Sequence, residues 1–200
     1  MAKITHIIPS QRVELLRDRI GSILATEISN QSLLQNDEEI NAKVWNSRIL
    51  QFDKSELPAI NVYHTQSSFD NKDRIDADNE CLFSILVCVR NANPEDELDN
   101  KSLIVRDKIN GIIRYILEHP EYKTFDFAPP FVITSIVQQI ENVDINQIQE
   151  TDYIVKSLIT LSVKIHESIT PLNPNQLLSH LTNVRLSLTD KGYVYELNEN

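Results

Sequence analysis

Glycine is scarce in this chain: among 200 residues there are three, Gly21, Gly111 and Gly192. Glycine-rich loops such as GxGxxG and the Walker sequence bind phosphate groups through closely approaching backbone amides, and glycines this far apart form neither pattern. We therefore do not expect a nucleotide-using enzyme of a familiar type.

Cysteine is as rare, with only Cys81 and Cys88. They lie seven residues apart in a predicted strand, so their side chains point to opposite faces, roughly 23 Å from each other. That separation is too large for a disulfide. Because there is no CxxC pair and no Cys/His cluster of zinc spacing, we interpret both as small core residues rather than ligands or nucleophiles.

Basic residues are outnumbered, 19 to 29, which gives a formal net charge of −10. Tight binding of nucleic-acid phosphates needs clustered Lys and Arg, whereas an acidic wall lets DNA pass without adhering. No apolar run reaches the roughly 18 residues of a membrane span, and the start MAKITHIIPSQR has no stretch of signal-peptide type. We expect assembly in a cytoplasm and no membrane partner.

Residue patterns typical of catalysis are also missing. The five histidines are scattered, without HxH or HxxxH pairs, and no serine lies in a nucleophile elbow. The acids from Asp76 to Glu80 have DxDxE spacing, but the glycine of a calcium loop is absent. The sequence thus predicts no catalytic residue, no metal and no cofactor, and the chain is interpreted as a non-enzyme.

Apolar residues at helical spacing predict two helices. The first opens with Ser10 as its N-cap and fades near Ser29 and Asn30; the second runs from Glu95 to His119 and ends at Pro120. The apolar stripes consist of Val13, Leu16, Ile20, Ile23, Leu24 and Ile28 in the first helix, and of Val105, Ile109, Ile112, Ile113, Ile116 and Leu117 in the second.

Alternating apolar residues predict strands. The predicted strands cover residues 59–64, 80–90, 131–140 and 156–167. A long polar loop, Thr65 to Asn79, separates the first two and has the length of a functional loop. Lys43 to Phe52 is predicted to form a short irregular hairpin that turns at Asn46 and Ser47.

These elements predict an α+β fold: a small mixed β-sheet with two main helices packed on one face. The predicted domain covers residues 1–168. Residues 169–200 form a C-terminal extension, with a short helix over Pro174 to Leu181 and a β-hairpin. The hairpin strands, Asn183 to Leu188 and Tyr193 to Leu197, flank the turn TDKG.

The most specific stretch is RILQFDKSELPAINVY, from Arg48 to Tyr63. A polar turn leads through Leu57 and Pro58 into an alternating strand, and proline suits a strand's first residue because it lacks a ladder donor. The pattern FDxxELPAINVY, together with the later strand, its break at Pro94 and the following helix, resembles the tail terminator family of long-tailed bacteriophages. The resemblance covers roughly Gln11 to Glu167 and includes the lambda type and related contractile-tail or injection-system terminators.

The resemblance implies a structural virion protein that forms a ring of six subunits. Such a ring caps the tail tube at its head-proximal end, stops tube polymerisation and presents a surface to the head-completion or neck protein. The implied partners are other copies of the chain, the tail tube protein and the neck protein, with DNA passing through the lumen. Family members are usually shorter, and Ile169 to Asn200 has no counterpart.

Aromatic side chains often anchor protein interfaces, so we expect interface residues among them and in the charged loop that follows the predicted strand 59–64. The candidates are Trp45, Arg48, Tyr63, Phe69, Asp70, Lys72, Asp73, Arg74, Asp76 and Asp78. Trp45 and Tyr63 can instead cover one end of the core, and Arg48 and Arg74 can be solvated charges rather than partners of acids on a neighbouring subunit.

Two other functions stay open. A head–tail joining or tail-completion protein of similar build would bind on the portal side instead of capping the tube. A metal-dependent hydrolase or nuclease, from a different class, is supported only by the abundance of acids.

Overall fold

Two helices and seven strands account for most of the residues that the computed structural model describes, namely 10–70, 76–90, 101–128, 130–143, 154–168, 179–184 and 193–198. The chain divides into two compact units, Met1–Glu167 and Ser168–Asn200. In the first unit a five-stranded mixed sheet carries both helices, which confirms the predicted α+β class. Within the described ranges, neither helix has the length and hydropathy needed to cross a membrane.

Helix α1 spans Arg12–Gln35, and every residue of its predicted apolar stripe is buried. The predicted N-cap, Ser10, is wrong by one residue, because Gln11 and Glu14 form a capping box at this end. The predicted end near Ser29 is also wrong. Ser32 continues the buried stripe by one turn, and the helix stops only at Asn36, whose left-handed backbone (φ 50°) makes it a C-terminal cap.

Helix α2 spans Lys101–Glu118; its predicted start at Glu95 lies outside the described residues. Its stripe is buried except for Ile112, which is partly covered. The two helices run antiparallel, since Asp37 after the end of α1 contacts Lys108 in α2 and Glu27 contacts Tyr122 beyond the end of α2.

The sheet consists of β1 (Lys43–Asn46), β2 (Ala59–Asp70), β3 (Asp76–Arg90), β4 (Val132–Val143) and β5 (Ile154–Ser168). Its strand order is β1-β2-β3-β5-β4. β1 pairs with β2 in parallel, whereas β2 with β3 and β4 with β5 are antiparallel. β1 and β4 therefore form the two edges.

One face of this sheet packs against the helices and forms the core. Alternate residues of β5 were predicted to point inward, and Ile159, Leu161, Val163 and Ile165 are all fully buried. Each such side chain contributes about 1.5–3 kcal/mol by leaving water. Cys81 and Cys88 are buried and free, and burial raises the pKa of the Cys88 thiol to about 11. Their predicted burial is confirmed: Cys81 packs in the core beneath the helices, and Cys88 is buried on the other face of β3.

Two predictions about the first half of the sheet are wrong. The stretch Lys43 to Phe52 is not a hairpin, because β1 pairs with β2 in the parallel sense. Residues Thr65 to Asn79 are not a long loop: β2 continues to Asp70 and β3 begins at Asp76. The ladder passes through polar pairs such as Ser68 with Glu80, with an irregularity at Thr65, because backbone pairing needs no apolar side chain.

The second unit contains β6 (Ser179–Val184) and β7 (Tyr193–Asn198), which pair antiparallel from Val184 with Tyr193 to Ser179 with Asn198. The second predicted strand, Tyr193 to Leu197, is confirmed, whereas its partner begins at Ser179 and not at Asn183; residues 185–188 of that predicted strand and the predicted turn TDKG lie outside the described residues. The helix predicted over Pro174 to Leu181 is wrong from Ser179 onward, where the chain is already strand; its earlier part lies outside the described residues.

The two helical glycines differ in what surrounds them, and this predicts opposite effects of alanine. A Cβ at Gly111 would meet nothing within 4 Å, so Gly111→Ala should raise the free energy of unfolding by about 0.5–1 kcal/mol through helix propensity. A Cβ at Gly21 would lie 2.9 Å from Cγ of Asn46, so Gly21→Ala should lower the free energy of unfolding. Urea denaturation measures both changes.

The control for this pair is the Asn46→Ala background, which removes the obstructing side chain. There, Gly21→Ala should become stabilising, as Gly111→Ala is in the unaltered chain. An equal loss of stability from Gly21→Ala in both backgrounds would contradict the steric explanation.

Candidate interaction surface

Residues 47–58 connect two neighbouring strands that run in the same direction, so this segment must cross back over the sheet. The crossing begins at Ser47, whose left-handed backbone (φ 54°) redirects the chain while its N–H donates to the carbonyl of Val62 at 2.8 Å. Asn46 and Ser47 do form a turn, as predicted, but the turn opens a crossover and not a hairpin.

Asn61 ties this crossover to the sheet. Its neighbours in β2, Ile60 and Val62, lie in the core, so its own side chain points to the face away from the helices. There the side-chain Oδ1 accepts the N–H of Arg48 at 3.0 Å, and Nδ2 donates to the carbonyl of Arg48 at 2.9 Å. The amide is buried and hydrogen-bonded at both its oxygen and its nitrogen, which fixes the start of the loop.

The guanidinium of Arg48 closes the base of the loop. It lies over the rings of both Trp45 and Phe52, with Cζ at 4.6 and 4.8 Å from their centroids. Two of its nitrogens donate to the carboxylate of Glu56 at 2.7 and 2.8 Å, and one also donates to the carbonyl of Gln51 at 3.2 Å. We call Trp45, Arg48, Phe52 and Glu56 the Arg48 brace.

Glu56 has a second role in the same loop. Its carboxylate accepts the N–H of Asp53 at 2.8 Å and completes a capping box on the short 3-10 turn Lys54–Glu56. Both Arg48 and Glu56 have side chains about one-fifth exposed, so their attraction is less screened than that of a surface pair. The hydrogen bonds from Arg48 lower the pKa of Glu56, and the same bonds raise the pKa of Arg48.

The brace leaves an apolar tip in water. Ile49 and Leu50 lie between its anchored residues and are 98% and 78% exposed. Exposed aliphatic side chains on a well-fixed backbone lose little conformational entropy when a partner covers them, and adjacent apolar side chains of this kind mark interaction sites. The tip therefore suits protein association and offers no chemistry for catalysis.

The sequence candidates divide into two groups in the structure. Trp45 and Arg48 belong to the brace, and Tyr63 lies half-buried two residues beyond Asn61 in β2. Phe69 is exposed near the far end of β2, eight residues past Asn61 and thus about 26 Å away. The guanidinium of Arg48 is about one-fifth exposed and is already paired with Glu56 of its own chain, so its use at a subunit interface stays a prediction.

The remaining candidates lie at or beyond the end of the β2–β3 ladder. Asp70 and Asp76 are strand residues, and Lys72, Asp73 and Arg74 lie outside the described residues. The carboxylate of Asp78 lies 3.2 Å from Nδ1 of His166 and 3.9 Å from Nζ of Lys164.

The neighbours of Asp78 make similar cross-strand contacts. The hydroxyl of Ser162 donates to Glu80 at 2.7 Å, and Nδ2 of Asn79 donates to Glu167 at 2.9 Å. These polar side chains thus join β3 to β5. Among the described residues, no three His, Cys, Asp or Glu side chains are placed to hold a metal ion.

The sheet edges are the other exposed feature. At one edge, β4 pairs only with β5 in the described part of the chain, and Ile136 is 58% exposed on it, with Ile133 and Ile140 also exposed. At the other edge lies β1, next to the Arg48 brace and the apolar tip. Sequence reasoning missed the tip because Ile49 and Leu50 look like ordinary core residues until their surroundings are known.

No protein family and no curated protein matches the chain. A chain in a solved structure titled "Virion of native gene transfer agent (GTA) particle" is similar to it with a TM-score of 0.37 and 8% sequence identity, over 74% of this chain and 98% of that chain. A TM-score of this size does not establish a common fold.

Replacing Glu56 by Gln should destabilise the protein at neutral pH, because the partly buried guanidinium of Arg48 loses its counter-charge. The pKa of Glu56 is lowered from 4.5 in the folded chain. Its contribution is therefore present above that value and is lost as the pH falls through the lower, folded pKa. The gap in urea midpoint between wild type and Glu56→Gln should stay constant from about pH 7 to 5 and shrink below 4.5.

Glu118→Gln is the matched control, since within the described part of the chain Glu118 forms a single ion pair, with the exposed Arg114. It should leave the urea midpoint nearly unchanged at every pH. A gap for Glu56→Gln that is as wide at pH 3 as at pH 7 would show that the carboxylate charge does not hold the brace.

Proposed function

We propose that this chain is a structural assembly protein of a phage-like virion, and that it forms a ring that caps the tail tube at its head-proximal end. The pattern FDxxELPAINVY supports the class because it resembles tail terminators; it contains Phe52 and Glu56 of the Arg48 brace and leads into β2. In this role the ring ends tube polymerisation and provides the surface that joins the head-completion or neck protein.

The observation that carries the proposal is that, within the described residues, the sheet ends in two unlike edge strands. β1 and β4 are the first and last strands of one sheet, so they face in opposite directions. A contact between the β4 edge of one copy and the β1 edge of the next, with its tip of Ile49 and Leu50, is head to tail and closes into a ring when the rotation permits.

The charge of the chain suits a DNA passage. Six copies, as the resemblance implies, would carry a formal charge of about −60, six times −10. Such a ring repels phosphate, so DNA can move through the lumen without binding to its wall. In this proposal the protein acts by occupying the end of the tube and not by catalysis. Its partners are its own copies, the tube protein and the neck protein.

The tip and the β4 edge provide a direct test of ring formation. Leu50→Asp and Ile136→Asp should each abolish association, because either places a charge in an apolar contact, while circular dichroism and melting temperature stay close to wild type since both side chains are exposed. Size-exclusion chromatography with light scattering, with and without the tail tube protein of the same particle, measures the effect.

Leu33→Asp is the matched control, an equally exposed leucine near the end of α1 and away from both edges. It should associate as wild type does. A wild-type chain that stays monomeric both alone and with tube protein would overturn the proposal.

Deletion of the gene separates capping from joining. Without a terminator, tube polymerisation continues and the tails are overlong. Tails of normal length that fail to attach to heads would instead assign the chain to head–tail joining. Electron microscopy of the particles distinguishes the two results.

A further inference from the structure

A groove of about 590 Å³ runs between the C-terminal half of α1 and the antiparallel α2. One wall carries Glu27, Gln31 and Gln35, spaced four residues apart and so aligned along one side of the helix over about 12 Å. A cleft of this length and volume accommodates a segment of polypeptide.

Gly111 in the middle of α2 lines this groove. Glycine weakens a helix relative to alanine, and neither packing nor backbone demands it here: a Cβ would meet nothing within 4 Å, and the backbone is ordinary helix. What the missing side chain provides is free space in the groove.

Three aromatic rings lie in a row along the opposite wall. The rings of Tyr115 and His119 have centroids 5.6 Å apart, and those of His119 and Tyr122 are 6.3 Å apart. Faces of such rings attract cations and also contact alkyl chains. Ile112 and Ile116 add an apolar surface beside them.

The charge within the groove is negative. Glu27 accepts the hydroxyl of Tyr122 at 2.6 Å, and this bond raises the pKa of Tyr122 to about 12, so the phenol remains the donor. Glu121 is a second carboxylate. Lys108 also lines the groove but is paired with Asp37 at 3.0 Å. Among the described residues, no cation pairs with Glu27 or Glu121.

We propose that this groove binds an arginine or lysine side chain of a protein partner, on an apolar segment that lies along the two helices. The carboxylates of Glu27 and Glu121 pair with the cation, the aromatic wall contacts its stem and charge, and the space at Gly111 admits the partner's backbone. The site uses the helix layer and neither sheet edge, so it does not depend on ring formation.

The probe is an acetylated and amidated Leu-Arg-Leu-Leu-Arg-Leu peptide, and its control is the same peptide with citrulline in place of arginine. Because the chain has three glycines, the Gly111 amide is readily followed by nitrogen-15 NMR. The arginine peptide should shift it saturably below about 1 mM, and the citrulline peptide should not. No shift with the arginine peptide, or equal shifts with both, overturns the proposal.

Variants separate the groove from other acidic surfaces. Glu27→Gln combined with Glu121→Gln should weaken peptide binding at least about ten-fold by removing charge-assisted contacts. Gly111→Phe should abolish it while circular dichroism stays that of the wild type, since the added side chain starts in open space. Glu118→Gln removes an acid from α2 outside the groove and should bind like the wild type. Wild-type affinity in the first two variants would overturn the proposal.

Discussion

The antiparallel ladder between β2 and β3 is the constraint on which the rest of the fold depends. β1 pairs with β2 on one side of this ladder, and β5 lies next to β3 on the other side, which gives the strand order of the sheet. Its inward residues, among them Val62 and Ile85, are paired in register and fully buried beneath the helices. Because a slip by one residue would turn those side chains to the opposite face, burial fixes the register and thereby the position of Asn61.

The sequence predicted the structural features that depend on residues close together along the chain. The stripes of both helices and the alternation of β5 appear in the sequence because one face of each element is apolar along its whole length. The pairing of β1 could not be read, since a strand as short as Lys43–Asn46 does not indicate the direction of its partner. The polar halves of β2 and β3 were mistaken for a loop because backbone hydrogen bonds hold them and few apolar side chains mark them.

The same limit explains why the sequence did not predict the contacts of the candidate surface. In the sequence, Arg48 was a charge available to another subunit. Glu56 lies eight residues further along the chain, and only the folded path of the crossover brings its carboxylate to the guanidinium. Asn61 is buried although it lies on the face of β2 away from the helices, because the crossover covers it. In both cases the partner is supplied by a segment whose path follows from parallel pairing. The candidate surface is therefore a product of topology more than of any motif.

Within residues 47–58, the side chains that close the loop differ from those that face the solvent. The loop is closed at its base by Arg48 and Glu56, while Ile49 and Leu50 bury almost none of their surface in their own chain. The side chains that hold this segment in place are thus different from those that it exposes. Substitutions at Ile49 and Leu50 should therefore cost little folding stability, and the backbone beneath them keeps its path whichever side chains it presents.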